Sequence, residues 1–111
     1  MAGKFELYKD KAGQHRFRLK ARNGEIVLKS EGYAAKASAR NGIESVQTNC
    51  SDEGCFDKIE TKAGNFRFNL KARNHQVIGT SESYKTASAR DKGIAAVGRA
   101  AKGAKTVDLT V

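Results

Sequence analysis

The architecture follows from one motif, Arg16-Phe17-Arg18-Leu19-Lys20-Ala21-Arg22-Asn23, which recurs 51 positions later as Arg67-Phe68-Asn69-Leu70-Lys71-Ala72-Arg73-Asn74. The same shift aligns Lys11-Ala12-Gly13 with Lys62-Ala63-Gly64, and Tyr33 with Tyr84, without a gap. A register that is kept over this length indicates an internal duplication. We therefore expect a single domain, residues 1–111, built of two repeats at about 4–50 and about 55–111.

Each repeat begins with strands. Phe17, Leu19 and Ala21 alternate with charged residues, which predicts a strand with one apolar and one polar face. Lys-Ala-Gly precedes this strand as a turn, and Asn23-Gly24 predicts a two-residue hairpin because both residues tolerate a positive φ. The flanking strands are expected at about 4–9 and 25–29, and in the second repeat at about 56–61 and 76–80.

The period then changes to that of a helix. Ala35, Ala39, Ile43 and Val46 are spaced by three or four residues, which predicts helices over about 34–49 and 85–101, with Ser83 as a candidate cap of the second helix. Residues 105–111 alternate again and predict a final strand. One unit alone would bury little apolar surface and leave sheet edges open, so the two units are expected to join edges beneath both helices.

Taken together, the paired motifs resemble the YegP-like family. The motifs are Arg-Phe-x-Leu-Lys-Ala-Arg-Asn, a Ser-Glu-x-Tyr helix entry at Ser30 and Ser81, and a later Gly-Ile-x-x-Val. The resemblance covers nearly the whole chain. It implies an α+β fold, a tandem duplication of a β(3)-α-β unit that forms one mainly antiparallel sheet with two helices packed on one face and exchanged C-terminal strands. The family is uncharacterised, so the resemblance implies a fold and no reaction. His75 and Arg90 depart from the pattern, where the first repeat has Gly24 and Ala39.

Charge and composition indicate a basic cytosolic protein. The net charge is +9, with +5 in residues 1–50 and +4 in residues 51–111, so both repeats carry it. No apolar run is long enough for a membrane span, and the N-terminus has no signal-peptide character, so we expect a cytoplasmic location and no membrane partner. Cys50 and Cys55 are expected to be free thiols, with a redox switch as the alternative.

The most distinctive candidate site is the polar side of the central strand in each repeat. A row of cations about 7 Å apart on an open sheet face could follow the phosphates of a nucleic acid, with Tyr8, His15, Tyr33 or Tyr84 available for stacking. The alternative is a solvated face on which Glu6, Glu25 and Asp57 pair with the cations. The candidate anion-binding or nucleic-acid-binding residues are Arg16, Arg18, Lys20, Arg22, Arg67, Lys71 and Arg73.

No motif for chemistry is evident. The chain has no Gly-rich phosphate loop, no metal-like spacing of ligands, and neither His15 nor His75 lies beside a nucleophile in its motif. We therefore predict no enzyme, no catalytic or metal residues and no cofactor. Three functions stay open: a non-catalytic interaction module for a protein or anionic ligand, a nucleic-acid binder, and, as the weakest, an enzyme with a site at the repeat junction. The oligomeric state is open between a monomer and a strand-exchanged homodimer.

Overall fold

A computed structural model of the chain describes residues 3–110, which form seven strands and two α-helices. The first repeat contributes β1 (Lys4–Lys9), β2 (His15–Lys20), β3 (Ile26–Lys29) and α1 (Lys36–Asn49). After a short 3-10 turn at Glu53–Cys55, the second contributes β4 (Phe56–Glu60), β5 (Phe66–Lys71), β6 (Val77–Thr80), α2 (Ala87–Ala101) and β7 (Lys105–Asp108). The predicted α+β order is confirmed; β7 is shorter than predicted, and Val111 lies outside the described residues.

All seven strands belong to one sheet, in the order β4-β5-β6-β3-β2-β1-β7. Every pairing is antiparallel except that of β7, which runs parallel to β1. The last strand of the second repeat therefore closes the edge of the first, which confirms the expected exchange for that strand. The first repeat has no strand after α1 in the described residues, so the exchange runs in one direction. The repeats meet where β3 pairs with β6, at Lys29 and Thr80.

The core lies between one face of the sheet and the two helices. Phe17 and Phe68 are fully buried, as the alternation predicts, and so are Leu19 and Leu70. A β-bulge after Leu19 places the extra residue Val27 in the core as well. The helices contact strands of both repeats, so neither half has a core of its own. Neither helix within residues 3–110 is long and apolar enough to cross a membrane.

The aromatic residue of each Ser-Glu-x-Tyr motif packs between helix and sheet. The Tyr33 ring stacks on Phe17 with 6.4 Å between centroids, and Tyr84 stacks on Phe68 at the same distance. A Cβ on the helical Gly42 would lie 2.8 Å from the Phe17 ring and 2.9 Å from the Tyr33 hydroxyl. Glycine is therefore required here by close packing, which outweighs its low helix propensity.

The predicted helix starts were two residues too early. α1 begins at Lys36 after Ala35, which has no side-chain cap, and α2 begins after Thr86, whose hydroxyl accepts the Ala89 N–H at 3.0 Å. Ser83 does not cap α2. The motif serine is used elsewhere: the Ser30 hydroxyl accepts the Phe17 N–H at 2.8 Å and donates to the Glu31 carbonyl.

The hairpin after β2 differs from the predicted two-residue turn. The Gly24 N–H donates to the Ala21 carbonyl and the Ala21 N–H donates to the Glu25 carbonyl, so the loop has three residues. Only its last residue has a positive φ, 85° at Gly24, and its counterpart His75 adopts the same conformation at 69°. The Asn23 side chain accepts the Glu25 N–H at 3.0 Å, which confirms its role in the turn.

Candidate anion-binding surface

The face of the sheet opposite the helices carries the predicted row of cations. Alternation along the strands places Arg16, Arg18 and Lys20 on this face, opposite the buried Phe17 and Leu19. Arg67 and Lys71 occupy the same positions on β5. Strand pairing adds cations that the sequence analysis did not include, since Lys29 lies opposite Arg18, and Lys105 lies opposite Lys4. We call this the basic sheet face: Lys4, Arg16, Arg18, Lys20, Lys29, Arg67, Lys71 and Lys105.

A buried carboxylate organises the first half of this face. Glu6 is only 6% exposed, and its carboxylate accepts from Arg18 at 2.7 Å and contacts Lys20 at 3.2 Å and Lys4 at 3.6 Å. The hydrogen bond from Arg18, and to a smaller extent the one from Lys20, holds the pKa of Glu6 below its ordinary value of 4.5. Arg18 also lies 4.7 Å from the centre of the Tyr8 ring, a cation–π distance. These contacts hold three cations in fixed positions.

Other carboxylates neutralise part of the face from its rim. Asp10 accepts from the Arg16 Nε at 2.6 Å, and this hydrogen bond lowers the pKa of Asp10. In the second half Asp57 lies 3.4 Å from Lys71, while Glu82 lies 3.1 Å from Lys29. The predicted pairing of Glu6 and Asp57 is thus observed, whereas Glu25 forms no ion pair within residues 3–110. Cations remain in excess.

Two of the seven predicted residues do not lie on the basic sheet face. β2 ends at Lys20 and β5 at Lys71, so Arg22 and Arg73 lie in the hairpin turns that follow. The alternation continues past the strand ends in the sequence, but the three-residue turns reverse the chain there. Each turn forms one side of a groove whose other side is the helix of the opposite repeat.

The first groove lies beside Arg22 and has a volume of about 490 Å³. The second lies beside Arg73 and has a volume of about 480 Å³. The first is lined by Ala21, Arg22, Asn23, Ala96, Arg99 and Ala100. The second is lined by Asn41, Glu44, Ser45, Thr48, Asn49, Ala72, Arg73 and Asn74. Neither groove is evident from the sequence, because the two walls of each groove come from different repeats.

The cysteines and histidines form no reactive centre in the described residues. Cys50 and Cys55 are buried and free, and burial raises the pKa of the Cys55 thiol, which disfavours the reactive thiolate. His15 uses its backbone to bridge to Tyr33, and its Nδ1 has no hydrogen-bond partner within residues 3–110. No cluster of three or more metal-ligating side chains occurs in that range.

Comparison with known proteins agrees with this architecture. A family model described as a domain of unknown function, DUF1508, matches residues 10–57 and again residues 61–108, and the chain belongs to this family. The "UPF0339 protein in ptx operon 5'region" of Stutzerimonas stutzeri is 51% identical over 109 residues, which is 98% of each chain.

Two solution NMR structures are similar over nearly the whole chain. YegP from Escherichia coli, described as a protein of unknown function, has a TM-score of 0.95 at 48% identity and covers 99% of this chain and 95% of its own. A UPF0339 protein from Shewanella oneidensis has a TM-score of 0.93 at 49% identity, with 99% and 93% coverage. The predicted YegP-like family is confirmed. The comparisons indicate no function and assign the family no catalytic activity.

Proposed function

We propose that this protein is a non-catalytic binding module whose basic sheet face binds a single-stranded nucleic acid. The observation that carries the proposal is the charge of this uncovered face: eight cations stand on its strands, against the two strand carboxylates Glu6 and Asp57. A surface of this kind attracts the phosphate backbone and releases its counterions. Tyr8, held by Arg18, supplies an aromatic surface for stacking.

The ion pairs on the face are compatible with this role. Glu6 fixes Lys4, Arg18 and Lys20 in place, which lowers the conformational entropy that these long side chains lose on binding. Arg67, on the other half of the face, is exposed and forms no ion pair within residues 3–110. Arg67 is therefore the cation from which we expect the strongest phosphate contact.

The absence of catalysis, the location and the oligomeric state belong to the same proposal. The two grooves are shallow, and within residues 3–110 the first is lined by alanine, arginine and asparagine, which supply no nucleophile and no base. The second has Ser45, Thr48 and Glu44, but no histidine or cysteine lines it in the same range. Two free buried thiols suit the reducing cytoplasm. We take residues 1–111 to act as one domain and as a monomer. β7 already pairs with β1 of its own chain, which closes that edge of the sheet. At the open β4 edge the charged Lys58 points towards the helix side, which disfavours pairing with a strand of another chain.

The test is fluorescence anisotropy with a labelled single-stranded RNA over a series of salt concentrations. Binding through phosphates predicts a linear fall of log K with log salt, with a slope of about −0.7 for each contact. The double variant Lys29→Gln/Arg67→Gln should weaken binding and make that slope shallower by about 1.4. Both side chains are exposed, so the fold is expected to persist, which circular dichroism checks.

A matched control removes the same charge elsewhere. Lys62→Gln/Lys92→Gln changes one turn residue and one exposed residue of α2, and should leave the slope close to that of the unchanged protein. Equal weakening by both pairs would mean that binding depends on net charge rather than on the basic sheet face. No saturable binding at low salt would refute a nucleic-acid partner and favour a protein partner for the module.

A further inference from the structure

The first groove combines two arginines from different repeats with an uncharged floor. Arg22 lies in the turn after β2, and Arg99 lies in the last turn of α2. The Gly3 N–H donates to the Ala100 carbonyl at 2.9 Å, so the segment before β1 is joined to the helix beside this groove. The duplication thus places two arginines that are 77 positions apart in the sequence along the same groove.

The lining of the groove favours an anion. No carboxylate lines it in the described part of the chain, and both arginines are exposed. Asn23 uses its Oδ1 in the turn, which leaves its NH₂ to donate to a ligand. The other lining residues are small, Ala21, Ala96 and Ala100, which leaves room for a ligand beside the arginines. Guanidinium binds phosphate through paired hydrogen bonds, which gives geometric selectivity as well as charge.

The C-terminal end of α2 borders the groove and would repel an anion, but local contacts offset this repulsion. The C-terminal end of a helix carries partial negative charge on its last carbonyls. In α2 the Ala101 carbonyl accepts from the Gln47 side chain at 3.3 Å and from the Ala104 N–H at 3.1 Å. Arg99 in the same turn adds a full positive charge. The helix end is therefore compensated before any ligand binds.

The second groove provides an internal comparison. Arg73 and Asn74 occupy the positions of Arg22 and Asn23, but the helix wall there carries Glu44, and Thr48 occupies the position of Arg99. This groove therefore has one arginine and one carboxylate where the first has two arginines. The same turn motif thus serves two sites of different charge.

From this difference we infer that the groove between Arg22 and Arg99 binds a phosphate group, and that its counterpart beside Arg73 does not. The ligand class is a phosphate monoester or inorganic phosphate. The inference does not depend on the basic sheet face, which involves neither arginine. The phosphate group would belong either to a free small molecule or to the end of a nucleic-acid strand.

The test is an NMR titration of the full chain with inorganic phosphate. We expect saturable shifts at the Nε–H groups of Arg22 and Arg99, with a dissociation constant on the order of 1 mM, and no saturation at Arg73. Arg22→Gln and Arg99→Gln should each weaken binding about tenfold, through the loss of one charge-assisted contact. Arg73→Gln removes the same charge from the same turn of the other repeat and should leave the constant unchanged.

Further arms of the experiment separate the sources of the phosphate. Tighter binding of a nucleoside 5′-monophosphate than of inorganic phosphate would indicate a small-molecule ligand. Preference for a 5′-phosphorylated oligonucleotide over the same strand without the phosphate would indicate a strand end. Non-saturable shifts, equal shifts with chloride, or equal loss in Arg73→Gln would overturn the inference. Lys29→Gln/Arg67→Gln should not alter phosphate binding here, so failure of the groove and failure of the sheet-face proposal can be told apart.

Discussion

The two repeats share one chain path but differ in how their outer edges are completed. In the first repeat β7 pairs with β1, and Phe5 and Leu7 are fully buried. In the second repeat the equivalent strand β4 has no outer neighbour in the described residues, Phe56 is half-buried, and Lys58 replaces the leucine. Lys58 reaches Asp91 on α2 at 3.4 Å.

This difference shows what a duplication within one chain permits. A homodimer of single repeats would present identical edges, whereas a fused pair can close one edge and protect the other with an inward-facing charge. The β7 edge is further held from the helix side, because Asp108 accepts from Lys36 at 2.9 Å and from Arg40 at 3.1 Å. Substitutions at three pairs of equivalent residues test how far the two repeats differ.

The largest effect is expected where the repeats meet, at the equivalent residues Leu28 and Gly79. A Cβ on Gly79 would lie 2.6 Å from the Leu28 side chain, so only one of the two positions has room for a leucine. Gly79→Leu should lower the free energy of unfolding by about 3 kcal/mol through overpacking, and Leu28→Gly by about 4 kcal/mol through a cavity. Urea unfolding measures both changes.

The double exchange Leu28→Gly/Gly79→Leu is the control for this prediction. It moves the leucine across the junction, so the double variant should be more stable than either single variant. If the two losses simply add, the residues do not share one packing space and the large–small complementarity is wrong.

The second-largest change in unfolding free energy is expected at the equivalent carboxylates Glu6 and Asp57. Glu6→Gln removes the negative charge shared by three cations at a buried position. It should cost about 1–2 kcal/mol of unfolding free energy, a value reduced because the cations are partly exposed. Asp57→Asn breaks one ion pair whose carboxylate is 49% exposed and should cost less than about 0.5 kcal/mol. Chemical unfolding at neutral pH measures the difference.

Acid titration of the unchanged protein and of Glu6→Gln gives an independent check. The folded pKa of Glu6 lies below 4.5, so its contribution to stability is present above that pH and is lost as the pH falls through the folded pKa. The unchanged protein should therefore lose stability below pH 4.5 more steeply than Glu6→Gln does. Identical acid profiles would show that the Glu6 ion pairs do not couple to folding.

The smallest effect concerns the two β-hairpins. His75 adopts a φ of 69°, a region that costs a residue with a Cβ about 1 kcal/mol, while Gly24 occupies the same region without strain. His75→Gly should raise the melting temperature, and Gly24→Ala should lower it by a similar amount. Differential scanning calorimetry measures both, and a His75→Gly variant that is less stable would mean that the imidazole makes a contact worth more than the strain.

Prediction from the sequence succeeded where the pattern is local. Alternation identified Phe17 and Phe68 as core residues, and the spacing of Ile43 and Val46 identified a helix. It failed at chain reversals, because Arg22 and Arg73 continue the strand pattern after the strands have ended. It also gave no sign of Lys29 on the basic sheet face or of Arg99 in the first groove, since strand pairing and helix packing between repeats are not encoded by a local period.

The duplication, the order of strands and helices and the basic character of both repeats can be read from the sequence alone, because periodicity and composition are properties of neighbouring residues. Three features emerge only from the packed fold: the edge that β7 closes, the contact of Leu28 with Gly79, and the groove that Arg22 shares with Arg99. These depend on how two nearly equivalent halves pack against each other. Packing responds to side-chain volume and charge at positions that lie far apart in the chain.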